Sequence, residues 1–129
     1  MTTKRILILE DDLETISAIT KALTQYENEN IGNFDIAVTV LSEYIQVEEY
    51  INKLDKDYFD LILIDRYYKG GDSFHVLDFD KFGVDNIISI SFMAKWDEEA
   101  KKKGIKTIVK KNYNLNKFAK QLIEEIKKY

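Results

Sequence analysis

The 129-residue chain contains no cysteine and no proline, and it has only five glycines. The absence of cysteine excludes disulfide bonds and thiolate chemistry. Without proline, and with so little glycine, no segment has the composition of a flexible linker or of a low-complexity region. The length suits a folding unit with a substantial core, and we therefore predict a single domain over residues 1–129.

Long apolar runs are also missing from the sequence. No run approaches the roughly 18 apolar residues that a membrane-spanning helix needs. The first five residues are polar and only a four-residue apolar run follows, which is not the pattern of a signal peptide. We therefore expect a soluble, cytoplasmic protein with no membrane partner.

The charge is unevenly distributed along the chain. Residues 1–93 carry 8 basic and 18 acidic side chains, whereas residues 94–129 carry 11 lysines and 5 acidic side chains. An acidic first part and a basic second part argue against general binding of nucleic acid. They do suit a protein-docking face in the basic part.

The apolar residues predict alternating strands and helices. Continuous or alternating apolar runs indicate strands at residues 6–9, 34–40, 61–64, 87–91 and 105–110. Helical spacing indicates helices at residues 13–26, 42–54, 96–103 and 115–129, with a weaker pattern at 74–82. These units predict an α/β fold in which helices cover both faces of a doubly wound, five-stranded parallel sheet.

Charged and hydroxyl side chains, which could bind a ligand or react with it, lie at the ends of the predicted strands. Glu10 and Asp11 follow the first strand, Asp65 follows the third, and Ser91 and Lys111 lie at the ends of the fourth and fifth. In an open parallel sheet these ends share one edge, where ligands bind. Carboxylates crowded at that edge suit Mg²⁺, which prefers oxygen ligands. Asp65 could then act as a nucleophile toward a phosphoryl group.

Each of these residues also has a simpler interpretation. Asp65 can be a turn-forming residue at the end of a strand. Glu10 and Asp11, with Asp12, can be the acids that favour the start of a helix. Lys111 can be a solvated lysine in a lysine-rich strand.

The pattern resembles the receiver domains of two-component response regulators over nearly the whole chain. The matching pieces are Ile-Leu-Ile-Leu followed by Glu10, Asp11 and Asp12, and the segments 60–65, 71–72, 90–91 and 109–111. This resemblance implies the flavodoxin-like strand order 2-1-3-4-5 and a function in phosphorelay signal transduction.

The resemblance also implies a role for each matching residue. Asp65 is expected to accept the phosphoryl group, and Ser91 and Lys111 are expected to bind it, with Lys110 as the competing lysine. The expected ligands of Mg²⁺ are Glu10, Asp11, Asp65 and the backbone carbonyl of Tyr67.

Four positions depart from the pattern of the family. Lys69 and Asn112 stand where the family usually has proline. Phe92 follows Ser91, at a position where the family usually has a small residue. Its ring could slow the access of a phosphodonor to the site. Ile108 occupies the position of an aromatic switch residue, so repacking of Ile108 and Phe92 would have to carry the signal.

The resulting prediction is a signalling phosphoacceptor that catalyses at most its own phosphorylation and dephosphorylation. A sensor histidine kinase or a phosphotransfer protein would act upstream, and the output would be an unidentified protein or a second copy bound through the face of residues 96–129. One alternative is a pseudo-receiver, which binds partners without phosphorylation. Another is a Mg²⁺-dependent phosphohydrolase, although Tyr67 replaces the second acid that such enzymes usually have.

Overall fold

The structure, a computed structural model, describes residues 2–65, 67–68, 71–72, 77–92 and 94–129. Within these residues the strands are β1 (Thr2–Leu9), β2 (Phe34–Leu41), β3 (Leu61–Asp65), β4 (Tyr67–Tyr68), β5 (Gly71–Asp72), β6 (Ile87–Ser91) and β7 (Thr107–Lys110). The helices are α1 (Leu13–Asn28), α2 (Tyr44–Gln46), a π-helix (Val47–Ile51), α3 (Phe79–Phe82), α4 (Ala94–Lys102) and α5 (Leu115–Ile126). None of these helices is both long enough and apolar enough to cross a membrane.

Five of the strands form a parallel sheet in the order β2-β1-β3-β6-β7. Counting only these parallel strands, the order is 2-1-3-4-5, so the predicted fold class is confirmed. The central strands β1, β3 and β6 are rich in isoleucine and leucine because both of their faces are covered.

The side chains of each central strand alternate between two core layers. Ile6 and Ile8 of β1 pack with α1 and α5, whereas Leu7 and Leu9 face the opposite layer. The first layer also contains Leu61, Leu63, Ile88, Ile90, Val109, Phe118 and Leu122. The second contains Val47, Ile51, Phe59, Ile62, Ile64, Ile87, Ala100 and Ile105.

The segment between β2 and β3 differs from its prediction. Residues 42–54 were expected to form one α-helix, but only the short α2 and the π-helix form. Val47 and Ile51 are nevertheless buried, as the helical spacing predicts. A spacing of four residues fits a π turn as well as an α turn, so periodicity alone could not separate the two.

The prediction for β2 was only partly right. It is an edge strand, and Phe34 and Ile36 pack against the first core layer. Val38 and Val40 belong to the same alternating apolar series, but they are 40% and 36% exposed. Alternation identifies which face of a strand is apolar, but not how far along the strand the covering helix extends.

The region after β3 was predicted least well. The structure forms a short antiparallel pair, β4 with β5, which the sequence did not predict. The weak helical pattern at residues 74–82 yields only the four-residue α3. Residues 74–76 of that pattern, and Lys69, lie outside the described residues.

The connection from α4 to β7 turns at a glycine. Gly104 has a φ of 93°, which is favourable for glycine and unfavourable for residues with a side chain. The backbone N–H of Ile105 then donates to the carbonyl of Ala100 at 3.0 Å, as in a glycine-ended helix. This turn directs β7 back along β6, and it brings the two lysines at the end of β7 to the edge of the sheet.

Candidate metal centre

The carboxyl ends of β1, β3, β6 and β7 meet at one edge of the sheet. In the parallel register, Leu9 lies beside Ile64, Asp65 beside Ile90, and Ser91 beside Lys110. The residues at or just beyond these ends are therefore neighbours in space, although up to 101 positions separate them along the chain.

Three carboxylates form a compact cluster at this edge. Glu10, Asp11 and Asp65 each contribute an oxygen atom that lies within 4.8 Å of the other two. Glu10 is completely buried, Asp65 is 5% exposed, and Asp11 is partly exposed. Glu10 is held in place because its Oε2 accepts a hydrogen bond from the backbone N–H of Asp11 at 3.2 Å.

Lys111 supplies the positive charge of the cluster. Its Nζ donates to Asp65 Oδ2 at 2.7 Å and also donates to Glu10 Oε1. Only 5% of the Lys111 side chain is exposed, so water screens these interactions weakly. A short, buried lysine–carboxylate pair is a strong charge-assisted contact.

The electrostatics of the cluster indicate an excess of negative charge. Burial raises the pKa of Glu10 from 4.5 to about 9, and the hydrogen bond and charge of Asp65 act in the same direction. Desolvation lowers the pKa of Lys111, but the charges of Asp65 and Glu10 outweigh it and the net shift is upward. At neutral pH the metal-free site therefore keeps a proton on Glu10 and a positive charge on Lys111.

These donors fit a hard divalent cation. All three candidate ligands offer carboxylate oxygen, which Mg²⁺ prefers, and none offers nitrogen or sulfur. A bound cation could also replace the proton on Glu10, because both compensate the same crowded negative charge.

Asp12 has a different task from the two acids before it. Its Oδ2 accepts hydrogen bonds from the backbone N–H and the hydroxyl of Thr15, so it caps the start of α1. The hydroxyl bond from Thr15 is the largest cause of the lowered pKa of Asp12. The interpretation as a helix-starting acid is therefore right for Asp12, whereas Glu10 and Asp11 lie in the cluster.

Ser91 points toward α4. Its Oγ donates to Asp97 Oδ1 at 2.9 Å, and both residues are buried. The other oxygen of Asp97 lies 3.5 Å from Lys110 Nζ. Adjacent lysines therefore bind different carboxylates, with Lys111 at the cluster and Lys110 at α4. The sequence did not single out Asp97, since an acid in the first turn of a helix is common.

An aromatic pair lies over the lysine. The ring of Phe92 is 48% exposed, its centre lies 5.6 Å from Lys111 Nζ, and it packs against Tyr113 at 5.5 Å. Tyr113 was not predicted as part of the site, and no sequence pattern marks it. Ile108 pairs with Ser89 in the sheet and packs against the second core layer, below the edge.

Tyr67 lies in β4, two residues after Asp65. The predicted use of its backbone carbonyl as a metal ligand stays a prediction.

Sequence comparisons find neither a protein-family model nor a curated protein that matches this chain. Solved structures do match. The phosphorylated cyanobacterial phytochrome response regulator RcpA is 21% identical, with 98% of this chain and 92% of that one covered and a TM-score of 0.71. The Mn²⁺-bound response regulator Rcp1 is 18% identical, with 98% and 93% covered and a TM-score of 0.71. A response regulator receiver domain from Rhodospirillum rubrum is 15% identical, with 94% and 89% covered and a TM-score of 0.72.

The chain therefore has the fold of response regulator receiver domains. The predicted resemblance is confirmed at the level of the fold, and identities of 15% to 21% are those of a divergent chain. Since fold alone does not establish function, the chemistry has to be argued from the site itself.

Proposed function

We propose that this protein is a phosphorelay receiver that accepts a phosphoryl group on Asp65 and thereby changes a protein-binding face. The observation that carries the proposal is the cluster at the carboxyl edge of the sheet, in which Lys111 Nζ lies 2.7 Å from Asp65 beside two further carboxylates. Two structural neighbours, described as phosphorylated and as Mn²⁺-bound, support the same chemistry.

In the proposed reaction, a carboxylate oxygen of Asp65 attacks the phosphorus of a phosphohistidine or of a small phosphodonor. A bond from oxygen to phosphorus forms, the bond from phosphorus to the leaving group breaks, and the leaving group departs with the bonding electrons. Mg²⁺, held by Glu10, Asp11, Asp65 and the Tyr67 carbonyl, would supply positive charge to the phosphoryl oxygens when bound. Lys111 supplies a second positive charge, and Ser91 supplies a hydroxyl donor.

The proposed output is a surface rather than a second reaction. The face of residues 96–129 belongs to the part of the chain that carries 11 lysines and 5 acids after residue 93, so an acidic partner or the acidic part of a second copy would complement it. Ile108 and Phe92 are the residues proposed to repack. The upstream partner would be a sensor histidine kinase or a phosphotransfer protein, and the compartment would be the cytoplasm.

The pseudo-receiver is the second candidate, and one observation favours it. The Phe92 ring lies over Lys111, while that lysine already binds two carboxylates. In this alternative the same ion pairs only stabilise the edge of the sheet, and partner binding is independent of phosphate.

Intact mass after incubation with acetyl phosphate separates the two candidates. We expect one added phosphoryl group in Mg²⁺ and none in EDTA or in Asp65→Asn. Asp60→Asn is the matched control, because Asp60 lies just before the opposite end of β3, where it accepts a hydrogen bond from the Arg5 backbone. An adduct that survives Asp65→Asn, or no adduct in any condition, would contradict the proposal.

A further inference from the structure

The hydroxyl of Ser91 donates a hydrogen bond to a carboxylate of helix α4. Ser91 is the last residue of β6, and Asp97 lies in the first turn of α4. Their side chains meet at 2.9 Å with only 1% and 6% of each residue exposed. A hydrogen bond to a carboxylate in such a site is roughly twice as strong as one between neutral groups.

A serine hydroxyl has a single proton to donate. If Ser91 donates it to a phosphoryl oxygen on Asp65, it cannot also donate it to Asp97. We propose that Asp97 is a positioning residue that competes with phosphorylated Asp65 for the Ser91 proton, so that phosphorylation releases the first turn of α4. This inference rests on the proposed function of Asp65.

The surroundings of Asp97 explain why its release would move the helix. Its side chain is 8% exposed, and its two partners among the described residues are Ser91 and Lys110. A buried carboxylate that loses a donor must find another donor or water. Lys110 is the available donor because its Nζ already lies 3.5 Å from Asp97 Oδ2 and 60% of its side chain is exposed. The first turn of α4 would therefore shift toward solvent and Lys110.

A role of Asp97 only in stabilising the start of α4 does not explain why its side chain is buried against Ser91. An acid in the first turn of a helix stabilises it through the helix dipole, but that effect is available to an exposed side chain. It does not require burial against the serine at the end of β6. Each of the two acceptors is also paired with its own lysine. Lys111 lies against Asp65, and Lys110 lies against Asp97.

The test is the affinity for beryllofluoride in Mg²⁺, a mimic of the phosphoryl group on Asp65. Asp97→Asn keeps the size of the side chain but replaces an ionised acceptor with a neutral one. We expect about five- to tenfold tighter binding, because the free-energy difference between a hydrogen bond to a charged acceptor and one to a neutral acceptor corresponds to a change of that size in the dissociation constant. Glu98→Gln is the matched control, since Glu98 is the next residue and its side chain is 68% exposed; its affinity should equal that of the wild type.

Two further variants make the test specific for competition. In a Ser91→Ala background, Asp97→Asn should change the affinity by less than about twofold, because no proton is left to compete for. Lys110→Met should act in the opposite direction and weaken beryllofluoride binding several-fold, because Asp97 then depends more on Ser91. Lys110→Met also keeps the test decisive if Asp97→Asn does not fold.

Amide hydrogen exchange distinguishes the competition from a purely structural role of Asp97, because only the competition links exchange in α4 to beryllofluoride binding. Beryllofluoride should raise exchange in the first turn of α4 of the wild type, and Asp97→Asn should raise it already without the mimic.

An unchanged affinity in Asp97→Asn, or a gain that persists without Ser91, would overturn the competition while leaving the proposed function intact. Absence of beryllofluoride binding in the wild type would instead overturn the proposed function, and the competition with it.

Discussion

Replacing Lys111 with methionine tests how the cluster is held together. The change keeps most of the apolar stem but removes the buried ammonium group that contacts Asp65 and Glu10. Removing one partner of a buried ion pair typically costs about 3–5 kcal/mol, because the other charge stays buried and unpaired. Glu10 has its pKa raised to about 9 and keeps a proton at neutral pH, so mainly Asp65 loses compensation. We therefore expect the lower end, about 3 kcal/mol.

Urea unfolding in EDTA measures this loss directly, and thermal unfolding should show a fall of about 10 °C for a chain of this size. Lys110→Met is the matched control. It removes the neighbouring lysine, whose side chain is 60% exposed, and leaves Asp97 its hydrogen bond from Ser91, so it should cost less than about 1 kcal/mol. Mg²⁺ should stabilise Lys111→Met more than the wild type, because the cation takes over the charge that the lysine supplied.

Equal losses in Lys111→Met and Lys110→Met would refute this account of the cluster. So would a loss in Lys111→Met that is the same in Mg²⁺ and in EDTA, because the cation would then not act at the same carboxylates.

Three further predictions concern the same edge of the sheet. Glu10→Gln should stabilise the metal-free protein increasingly as the pH rises from 4.5 to about 9, because over that range unfolding of the wild type releases the Glu10 proton and its stability falls. Urea titrations at several pH values check this, and the exposed Glu48→Gln should show no such trend. Asp11→Asn should raise the melting temperature without metal and abolish its shift with Mg²⁺; an undiminished Mg²⁺ shift would count against the site. Phe92→Ala should speed phosphorylation by acetyl phosphate while changing the unfolding free energy by less than about 1 kcal/mol, since the ring is half exposed. An unaltered rate would show that the ring does not limit access.

The sheet and much of the cluster could be predicted because their signals are local. Runs such as Leu61–Asp65 are apolar without interruption and end in a carboxylate, and parallel strands bring such ends together. Alternation along the strand indicated that only one of Lys110 and Lys111 would face the cluster, whereas the choice of Lys111 came from the resemblance. The predictions of one domain over residues 1–129 and of an output face at 96–129 stay predictions.

Other features depend on distances that no local pattern encodes. The bond between Ser91 and Asp97 requires the position of α4 over the end of β6, which the sequence of either element does not specify. The contact of Phe92 with Tyr113 joins two loops in the same way. The π-helix Val47–Ile51 was missed because its two buried residues have a spacing that an α-helix shares.

The register of β7 is set by its polar residues rather than by its apolar ones. Ile108 packs against the second core layer and Val109 against the first. Both are β-branched and apolar, so a slip that puts Ile108 in the place of Val109 would by itself cost little hydrophobic energy at that position. The hydroxyl of Thr107, which pairs with that of Tyr129 at 3.0 Å, and the ion pairs at the other end distinguish the observed register from its neighbour.

A slip of one residue toward the carboxyl end in this four-residue edge strand would put Lys110 in the place of Lys111. The lysine that now pairs with Asp97 would enter the carboxylate cluster, and Lys111 would move beyond it. Insertions or deletions between α4 and β7 are therefore tolerable only if the turn at Gly104 absorbs them. In evolution and in engineering alike, the length of that turn determines which of the two lysines lies in the carboxylate cluster.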